Sequence, residues 1–445
     1  MFKMAIGGRR REQQSMFTST LSASSARSTS PVMRKHRPDY LIVLYMGLLM
    51  LCGLIIIYAI GPQRANVLNN SYGSDYSSSY FFIKQAISLV LSLVAFVILS
   101  VVPYKWLIKH AGLLLSIGLG SCALLAIAGW AHLGIAQESL GATRWFNLGI
   151  LGSLQPAEIL KFGLLVFLGG FLGTRASQGK INNVNETLIP LGVIAGLALM
   201  FIVVIQKDLG TGIALSAIVA SMLFIAGLNK KIGAIIFVGV FVVGVGLVFS
   251  AGHRIDRVTT FFQGDNTSSS DAGSYHIQHA KIAIGTGGMF GVGIGNSVQA
   301  TGYLPEAIND SVFAILGETF GFVGLGAILT LFVVLLLRLL KVMDHLVDVR
   351  LKLLVAGVFG WFGAHVMLNV AAMIGLVPLT GITLPLLSFG GTSMIFITAA
   401  LGLVFQLSRY TVHSLKTKET SYEGSSSRRG VGRTRYASGG SSSRN

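Results

Sequence analysis

Ten apolar runs recur along this sequence, and they constrain the fold more than any other feature. A helix needs about 20 consecutive apolar residues to cross the hydrocarbon core of a membrane. Charged residues make up 11% of the chain and hydrophobic residues 52%, a balance that the surface of a water-soluble protein does not tolerate. The sequence therefore predicts an all-α polytopic membrane protein with ten transmembrane helices. The runs cover roughly 40–61, 81–102, 111–132, 156–173, 187–206, 210–227, 231–250, 311–337, 353–377 and 386–408.

Basic residues are distributed unequally between the two sides of these runs. Of the 34 Lys and Arg residues, 26 fall on the side that holds both termini and six on the other side. Because basic residues are retained in the cytoplasm, we expect both termini there and the longest loop, 251–310, outside. The net charge of +17 then reflects topology, and no nucleic-acid partner is indicated. Residues 1–38 and 411–445, rich in Ser and Arg, are predicted to be disordered cytoplasmic segments around a membrane domain at 39–410.

Four segments on the predicted outer side are neither apolar helices nor ordinary hydrophilic loops. Each contains Gly, Pro or Thr where the chain enters or leaves the membrane. Irregular backbone at membrane depth is tolerated only where protein or water covers it, so we expect the four to converge on a cavity. They are SLGATRWFNLGILGSLQPAEILK (139–161), QKDLGTG (206–212), IAIGTGGMFGVGIGNS (282–297) with the following YLPEAIND (303–310), and VPLTGITLPLLSFGGTS (377–393).

Two charged residues lie close together at the start of the fourth run. Glu158 and Lys161 are three residues apart on one helix face, so each can pair with the other. An isolated charge inside a membrane is costly, and pairing lowers that cost. The pair can fix the helix register, or it can shape a polar cavity. The sequence leaves both interpretations open.

Three carboxylates lie in or beside the end of the long loop. Asp310 precedes an apolar helix, where the helix dipole favours a carboxylate, so it can be a cap, a general base or a metal ligand. Glu306 lies one turn earlier if the segment is helical, although Pro305 argues against a helix. Glu318 lies inside the eighth run and needs a partner or water that the sequence does not identify.

The glycine-rich passage does not match a nucleotide-binding motif. It lacks the Gly-Lys-Ser/Thr ending of a phosphate loop, so its glycines indicate close helix approach or a tight re-entrant turn. Several basic residues flank the predicted cavity instead. They can bind a pyrophosphate through charge-assisted hydrogen bonds, or they can be solvated loop charges. They are Arg144, Arg254, Arg257 and Lys281.

The four segments, in this order, closely resemble the SEDS family of bacterial cell-wall polymerases, to which FtsW, RodA and SpoVE belong. The resemblance covers roughly residues 40–410 and rests on GATRWFNLG…QPAEILK, QKDLGTG, IAIGTGGMFGVGIGNSVQ…YLPEAIND and TGITLPLLSFGGTS. The IGNSVQ and LGE segments and the long basic N-terminal arm are more similar to the FtsW and SpoVE branch, FtsW above all, than to RodA.

The resemblance implies a peptidoglycan glycosyltransferase that polymerises lipid II at the outer face of the bacterial plasma membrane for septal wall synthesis. It implies a class B penicillin-binding transpeptidase and other divisome proteins as partners. Asp310 matches the essential acid of the family, which would take the proton of the acceptor hydroxyl. Cationic side chains or a divalent cation, Mg²⁺ or Mn²⁺, would stabilise the pyrophosphate leaving group. The candidate substrate-binding residues are Arg144 and Lys161, then Arg254, Arg257 and Lys281, with Glu158, Glu306 and Ser388 from the same motifs.

Several residues depart from the pattern of the family. Because Asp310 is retained, we expect activity to be kept, while acceptor binding and assistance by a metal are put in question. The departures are Lys207 for Pro, Ile308 and Asn309 for His-Thr, Ser311 for Phe, and Thr319 for the second acid of the GEE motif. Two other classes stay open. A lipid II flippase needs polar groups through the midplane and toward both faces, whereas a scaffold needs no charges in a cavity.

Overall fold

The computed structural model describes residues 36–139, 142–147, 149, 152–249, 255, 258–259, 261 and 272–411. The predicted disordered segments at 1–38 and 411–445 fall almost wholly outside these residues. Arg254 and Arg257 also lie outside them, so their predicted role in binding pyrophosphate stays a prediction.

Twelve α-helices occur in the described ranges, and ten candidate spans among them are long and apolar enough to cross a membrane. The ten predicted runs each match one span, so the polytopic helical fold is confirmed. The spanning helices are α1 (Tyr40–Tyr72), α2 (Tyr80–Val101), α4 (Ala111–Trp130), α5 (Pro156–Ser177), α6 (Ile189–Leu199) with π-helical turns at Val184–Leu188 and Met200–Ile205, α7 (Leu209–Ala226), α8 (Lys230–Phe249), α10 (Val312–His345), α11 (Val349–Met373) and α12 (Gly391–Leu407). Two further helices, α3 (Tyr104–Lys109) and α9 (Ala272–Thr286), do not span.

A small antiparallel sheet between α4 and α5 adds to the predicted helical fold. Its strands are β1 (Ala136–Ser139), β2 (Ala142–Asn147) and β3 (Ser153–Leu154), in the order β1-β2-β3. Thr, Trp and Phe in β2 suit a pleated, half-buried surface, but apolar and polar residues do not alternate in ATRWFN. The sheet carries the first of the four irregular segments.

The spans differ in how much of their surface the protein covers. Helices α5, α11 and α12 are the most enclosed, and α8 has no buried residue along its whole length. Close backbone approach helps to enclose α5, because Gly118 of α4 has no room for a side chain. A Cβ atom on Gly118 would lie 2.6 Å from the Cα of Leu160. Small residues allow membrane helices to pack at such distances.

The eighth span is broken at Gly321, and the glycine-rich passage fills the break. Gly321 has φ 67° and ψ −168°, a conformation that excludes a helix and favours glycine. Four backbone hydrogen bonds join the two segments: Val292 N to Glu318 O (2.9 Å), Gly293 N to Thr319 O (3.1 Å), Phe322 N to Gly288 O (2.9 Å) and Val323 N to Met289 O (3.1 Å). Broken helices in membranes need such replacement partners for their backbone groups. The glycines thus permit a tight turn that packs into the break, while its re-entrant position in the membrane stays a prediction.

Candidate active site

Arg144 on strand β2 connects the first irregular segment to the second. Its Nε donates to the carbonyl oxygen of Gln206 at 3.2 Å, and its Nη2 donates to that of Lys207 at 2.9 Å. Lys207 has a positive φ of 51°, which turns its carbonyl toward the strand. A guanidinium has five N–H donors, so these two bonds leave others for a ligand. Arg144 therefore joins β2 to the segment of Gln206 and Lys207, and its remaining N–H donors can bind an anion.

The second and fourth segments are also in direct contact. A Cβ atom on Gly210 would lie 2.7 Å from Cγ1 of Ile382 and 2.8 Å from the carbonyl oxygen of Thr380. Glycine at this position thus permits the close approach of α7 to the chain before α12. Ser388 lies buried in the fourth segment, where its Oγ accepts from the amide of Leu384 at 2.8 Å. In this structure the Ser388 hydroxyl therefore stabilises the turn from Leu384 to Ser388.

The third and fourth segments meet beside Asp310. The amide of Phe389 donates to the carbonyl oxygen of Ile308 at 2.8 Å. The Nδ2 of Asn369 donates at 2.7 Å to two carbonyl oxygens, those of Asp310 and Ile382. The predicted convergence of the four segments is confirmed by these contacts. A cavity between them stays a prediction.

The predicted Glu158–Lys161 pair is present and fully enclosed. Lys161 Nζ donates to Glu158 Oε1 at 2.8 Å, and the two side chains are 0% and 2% exposed. The same ammonium lies 3.3 Å from Nε2 of His365 and 4.9 Å from the ring centroid of Trp361. An imidazole nitrogen that accepts from an ammonium carries no proton, so His365 is neutral here with its proton on Nδ1. The charge of Glu158, the hydrogen bond to His365 and the quadrupole of the Trp361 ring together stabilise the buried ammonium of Lys161.

One face of α11 links this pair to the segment of Asp310. Trp361, His365 and Asn369 are spaced four residues apart, so they lie on one side of the helix. The first two contact Lys161, and Asn369 holds the Asp310 carbonyl. The sequence prediction missed His365 and Asn369. Polar side chains inside an apolar run, repeated at helical spacing, were the signal that could have identified them.

Asp310 lies in a series of turns that precedes α10. The helix begins at Val312 with Ser311 at its N-cap, so Asp310 is one residue before the cap position. Glu306, four residues earlier, has a positive φ of 50°, and the segment is not helical. Glu306 is 49% exposed, and its Oε1 lies 3.5 Å from Nη2 of Arg64 on α1. The turn that carries Asp310 is therefore attached to both α1 and α11.

The structure identifies the partners of Glu318. Its carboxylate accepts from the Ser297 hydroxyl at 2.5 Å, from the Val298 amide at 3.0 Å and from the Gln299 amide at 3.3 Å. Glu318 is 2% exposed, and these donors replace the water that a buried carboxylate loses. Ser297 is the last residue of the glycine-rich passage. Glu318 thus stabilises the loop that leads to Asp310.

Lys281 lies on α9. Its side chain is exposed and packs against Gly375, the second residue after α11. A Cβ atom on Gly375 would lie 2.7 Å from Cε of Lys281. The described residues contain no group of three or more His, Cys, Asp and Glu side chains that could hold a metal ion among themselves. The expectation that Asp310 helps to hold a metal ion stays a prediction.

Comparison with known proteins adds to this geometry. Residues 39–413 match the model of the FTSW_RODA_SPOVE family, described as "Cell cycle protein". The chain is 33% identical over 384 residues to stage V sporulation protein E of Bacillus subtilis, covering 85% of this chain and 99% of that protein. It is 32% identical over 375 residues to the probable peptidoglycan glycosyltransferase FtsW of Nitrosomonas europaea, covering 83% and 92%.

Two solved structures have a similar fold. One, described as "Structural coordination of polymerization and crosslinking by a peptidoglycan synthase complex", gives a TM-score of 0.64 at 24% identity, over 84% of this chain and 98% of that one. The rod shape determining protein RodA of Thermus thermophilus gives a TM-score of 0.59 at 24% identity, over the same shares. At this level of identity the likeness shows the shared membrane fold.

Proposed function

The chain belongs to the FTSW_RODA_SPOVE family of multi-pass bacterial membrane proteins, and we propose that it is a peptidoglycan glycosyltransferase that polymerises lipid II. The observation that carries the proposal is the position of Asp310. Its turn lies where the third and fourth irregular segments meet and is held by Asn369 of α11. The printed name of the Nitrosomonas relative supports the same activity.

Asp310 is the proposed general base. The hydroxyl of an acceptor sugar is a weak nucleophile, and a carboxylate beside it can take its proton as the oxygen attacks the anomeric carbon of the donor. The new glycosidic bond forms as the bond to pyrophosphate breaks, and undecaprenyl pyrophosphate leaves. Asn369 fixes the backbone of Asp310, so the carboxylate needs little reorganisation before it acts.

Negative charge that develops on the pyrophosphate needs cationic partners. Arg144 is the first candidate, because its remaining donors lie at the junction of the first two segments. Lys161 is enclosed by Glu158, His365 and Trp361, so we propose that it acts through the local electrostatic field. Arg254, Arg257 and Lys281 remain proposed contacts from the long loop, as do Glu306 and Ser388 from the motifs.

A divalent cation belongs to the proposal as a ligand shared between protein and substrate. Mg²⁺ usually binds one or two carboxylates together with substrate phosphates and water, and a single protein carboxylate at Asp310 fits that donor set. The cation would neutralise charge on the pyrophosphate oxygens. Asp310 is the residue that would hold it.

The placement of polar groups favours polymerisation over transport. Glu158 and Asp208 lie at the starts of α5 and α7, and His365 lies in the last third of α11. Neighbouring spans run in opposite directions, so these positions lie toward one end of the bundle. A flippase needs polar groups toward both faces. We propose that this end is extracytoplasmic, which agrees with the distribution of Lys and Arg.

The setting of the activity is also proposed. The relatives named FtsW and SpoVE, together with the IGNSVQ and LGE segments, support septal wall synthesis. A class B penicillin-binding transpeptidase and other divisome proteins are the proposed partners. The fold shared with a chain of a peptidoglycan synthase complex supports the first of these.

The test is polymerisation of fluorescent lipid II by the purified full chain, alone and with a class B transpeptidase, read as glycan chains on a gel. We expect chains from the parent and a loss of at least about 100-fold in Asp310→Asn, which keeps the size of the side chain and removes the base. Asp75→Asn, a matched change at an exposed acid between α1 and α2, should polymerise normally.

Three results would contradict this proposal. Equal polymerisation by Asp310→Asn and the parent would show that Asp310 is not the base. Transfer of lipid II across liposome membranes without any polymer would favour the transporter. Stimulation of the transpeptidase by a chain that neither polymerises nor transports would favour the scaffold.

A further inference from the structure

Helix α9 is attached to the loop of Asp310 through two histidines that lie one helical turn apart. His276 is 9% exposed, and its Nε2 lies 2.6 Å from the hydroxyl of Ser311. Nδ1 of His279 lies 2.8 Å from Oε1 of Gln299. The spacing of three residues puts both rings on the same side of the helix. The first ring thus reaches the residue next to Asp310.

The direction of the His276 hydrogen bond follows from the other bond of Ser311. The serine hydroxyl donates its one proton to the carbonyl oxygen of Pro305 at 2.8 Å. The same oxygen can then only accept from His276, so Nε2 of that ring carries a proton and donates. Both the neutral Nε2–H form and the imidazolium can make this bond. The contact is therefore a fixed strut between α9 and the turn.

The turn of Asp310 is held from two sides. Asn369 of α11 binds the Asp310 carbonyl at 2.7 Å, and His276 of α9 binds the side chain of the following residue. The Ser311 amide also donates to the carbonyl oxygen of Glu306 at 3.2 Å, which closes the turn. Removal of the His276 contact separates the residue next to Asp310 from α9, while the contacts with α1, α11 and Phe389 remain. A displacement of about 1 Å at a catalytic group can cost a factor of 100 in rate.

We infer that His276 is a positioning residue for Asp310, acting through the Ser311 hydroxyl. The inference rests on the proposed function of Asp310 as the base. It also explains Ser311, which stands where the family motif usually has Phe. A phenyl ring lacks the hydroxyl oxygen that accepts from His276 and that donates to Pro305.

Steady-state polymerisation of lipid II by the full chain tests the inference. We expect His276→Ala to lower kcat about tenfold with KM within about twofold, because the base is displaced and substrate contacts are kept. His276→Gln should restore most of kcat, since its amide nitrogen can donate to Ser311. Ser311→Ala removes this bond and the bond to the Pro305 carbonyl, so it should lower kcat at least as much as His276→Ala. The double variant should lose no more than Ser311→Ala alone, because the bond of His276 is already absent there.

His279→Ala is the matched control on the same face of α9. It removes the neighbouring imidazole and keeps the contact with Ser311, so kcat should change less than about twofold. An equal loss of kcat in His279→Ala and His276→Ala would overturn the inference, because general anchoring of α9 would then explain both. An unchanged kcat in His276→Ala, or additive losses in the double variant, would overturn it as well.

A second measurement separates this inference from the proposed function. Amide hydrogen exchange over residues 303–312 should be faster in His276→Ala and Ser311→Ala than in the parent, and unchanged in His276→Gln. If exchange changes in this way but the parent chain does not polymerise lipid II, the proposed function is overturned. The contact between His276 and the turn is supported all the same. Unchanged exchange in His276→Ala would overturn the positioning role whatever the activity.

Discussion

Glu158 and Glu318 are both buried inside spanning helices, and the protein stabilises them in different ways. Glu158 is paired with an ammonium three residues away on its own helix, and that ammonium also contacts His365 of α11. Glu318 accepts from one hydroxyl and two backbone amides, and none of the ion pairs between described residues includes it. The first carboxylate depends on an opposite charge, and the second depends on the shape of a loop.

This difference indicates how each carboxylate can be disrupted. A charge pair fails when either partner is removed, because the other charge is then left buried and uncompensated. A carboxylate held by backbone amides fails when the loop moves, even if every side chain is present. The variants below separate the two cases, from the largest expected effect to the smallest.

Lys161→Met should be the most destabilising change. It leaves Glu158 buried without its cation and should lower the free energy of unfolding by about 3–5 kcal/mol. Denaturation in mixed micelles, followed by Trp fluorescence, measures this. The double variant Glu158→Gln with Lys161→Met has no buried charge and should recover part of the loss. A double variant as unstable as Lys161→Met would show that the charge of Glu158 is not what destabilises the protein.

Gly291→Ala tests the loop that shapes the Glu318 site. A Cβ atom there would lie 2.2 Å from the carbonyl oxygen of Thr319, and φ at Gly291 is 82°. The backbone oxygen of Thr319 cannot move away as the end of a side chain can. We therefore expect the free energy of unfolding to fall by about 3 kcal/mol in the same assay. Gly295→Ala is the control, since it also has a positive φ of 87° but no atom within 4 Å of its Cβ position. Equal losses in the two variants would attribute the effect to backbone strain alone.

Glu318→Gln should have a smaller effect, of about 1–3 kcal/mol. The amide keeps one acceptor oxygen, but its NH₂ group faces donors and leaves at least one of them unsatisfied. The same change at Glu138, an exposed residue of β1, should leave stability within about 0.5 kcal/mol of the parent. If Glu318→Gln were as stable as the parent, the charge of Glu318 would contribute nothing to the loop.

Arg64→Gln should have the smallest effect, below about 1 kcal/mol. Its partner Glu306 is half-exposed, and the two charged atoms are 3.5 Å apart, so water screens the pair. The effect should also shrink as salt is raised from 0.05 to about 0.5 M, because exposed pairs are screened by ions. If Arg64→Gln destabilised the protein as much as Lys161→Met, solvent exposure would not explain the different strengths of the exposed Arg64–Glu306 pair and the buried Glu158–Lys161 pair.

The spans and the Glu158–Lys161 pair were predictable because both depend on residues close together in sequence. Twenty apolar residues define a span, and a separation of three residues defines one helix face. The partners of Glu318 were not predictable. They lie about 20 residues away and reach it only because α10 breaks at Gly321 and a glycine-rich passage fills the break.

The contacts around Asp310 show the same limit. Sequence resemblance led to the prediction that Asp310 is the acid, but His276 and Asn369 come from two other helices, 34 and 59 residues away along the chain. Their roles follow from how those helices pack. The sheet of Arg144 was missed for a local reason, because apolar and polar residues do not alternate in β2, where Trp145 and Phe146 are adjacent.

The length of α1 sets the height of the proposed active site relative to the membrane. Its 33 residues extend about 50 Å, whereas a hydrocarbon core is about 30 Å thick. Gln63 and Arg64, about 36 Å from the start of the helix, contact Gly295 and Glu306. If the hydrocarbon core begins at the start of α1, it ends before Gln63, so we expect the loop to be attached to α1 at the depth of lipid headgroups. A lipid-linked sugar could react there with its isoprenoid chain still in the bilayer and its sugars in water.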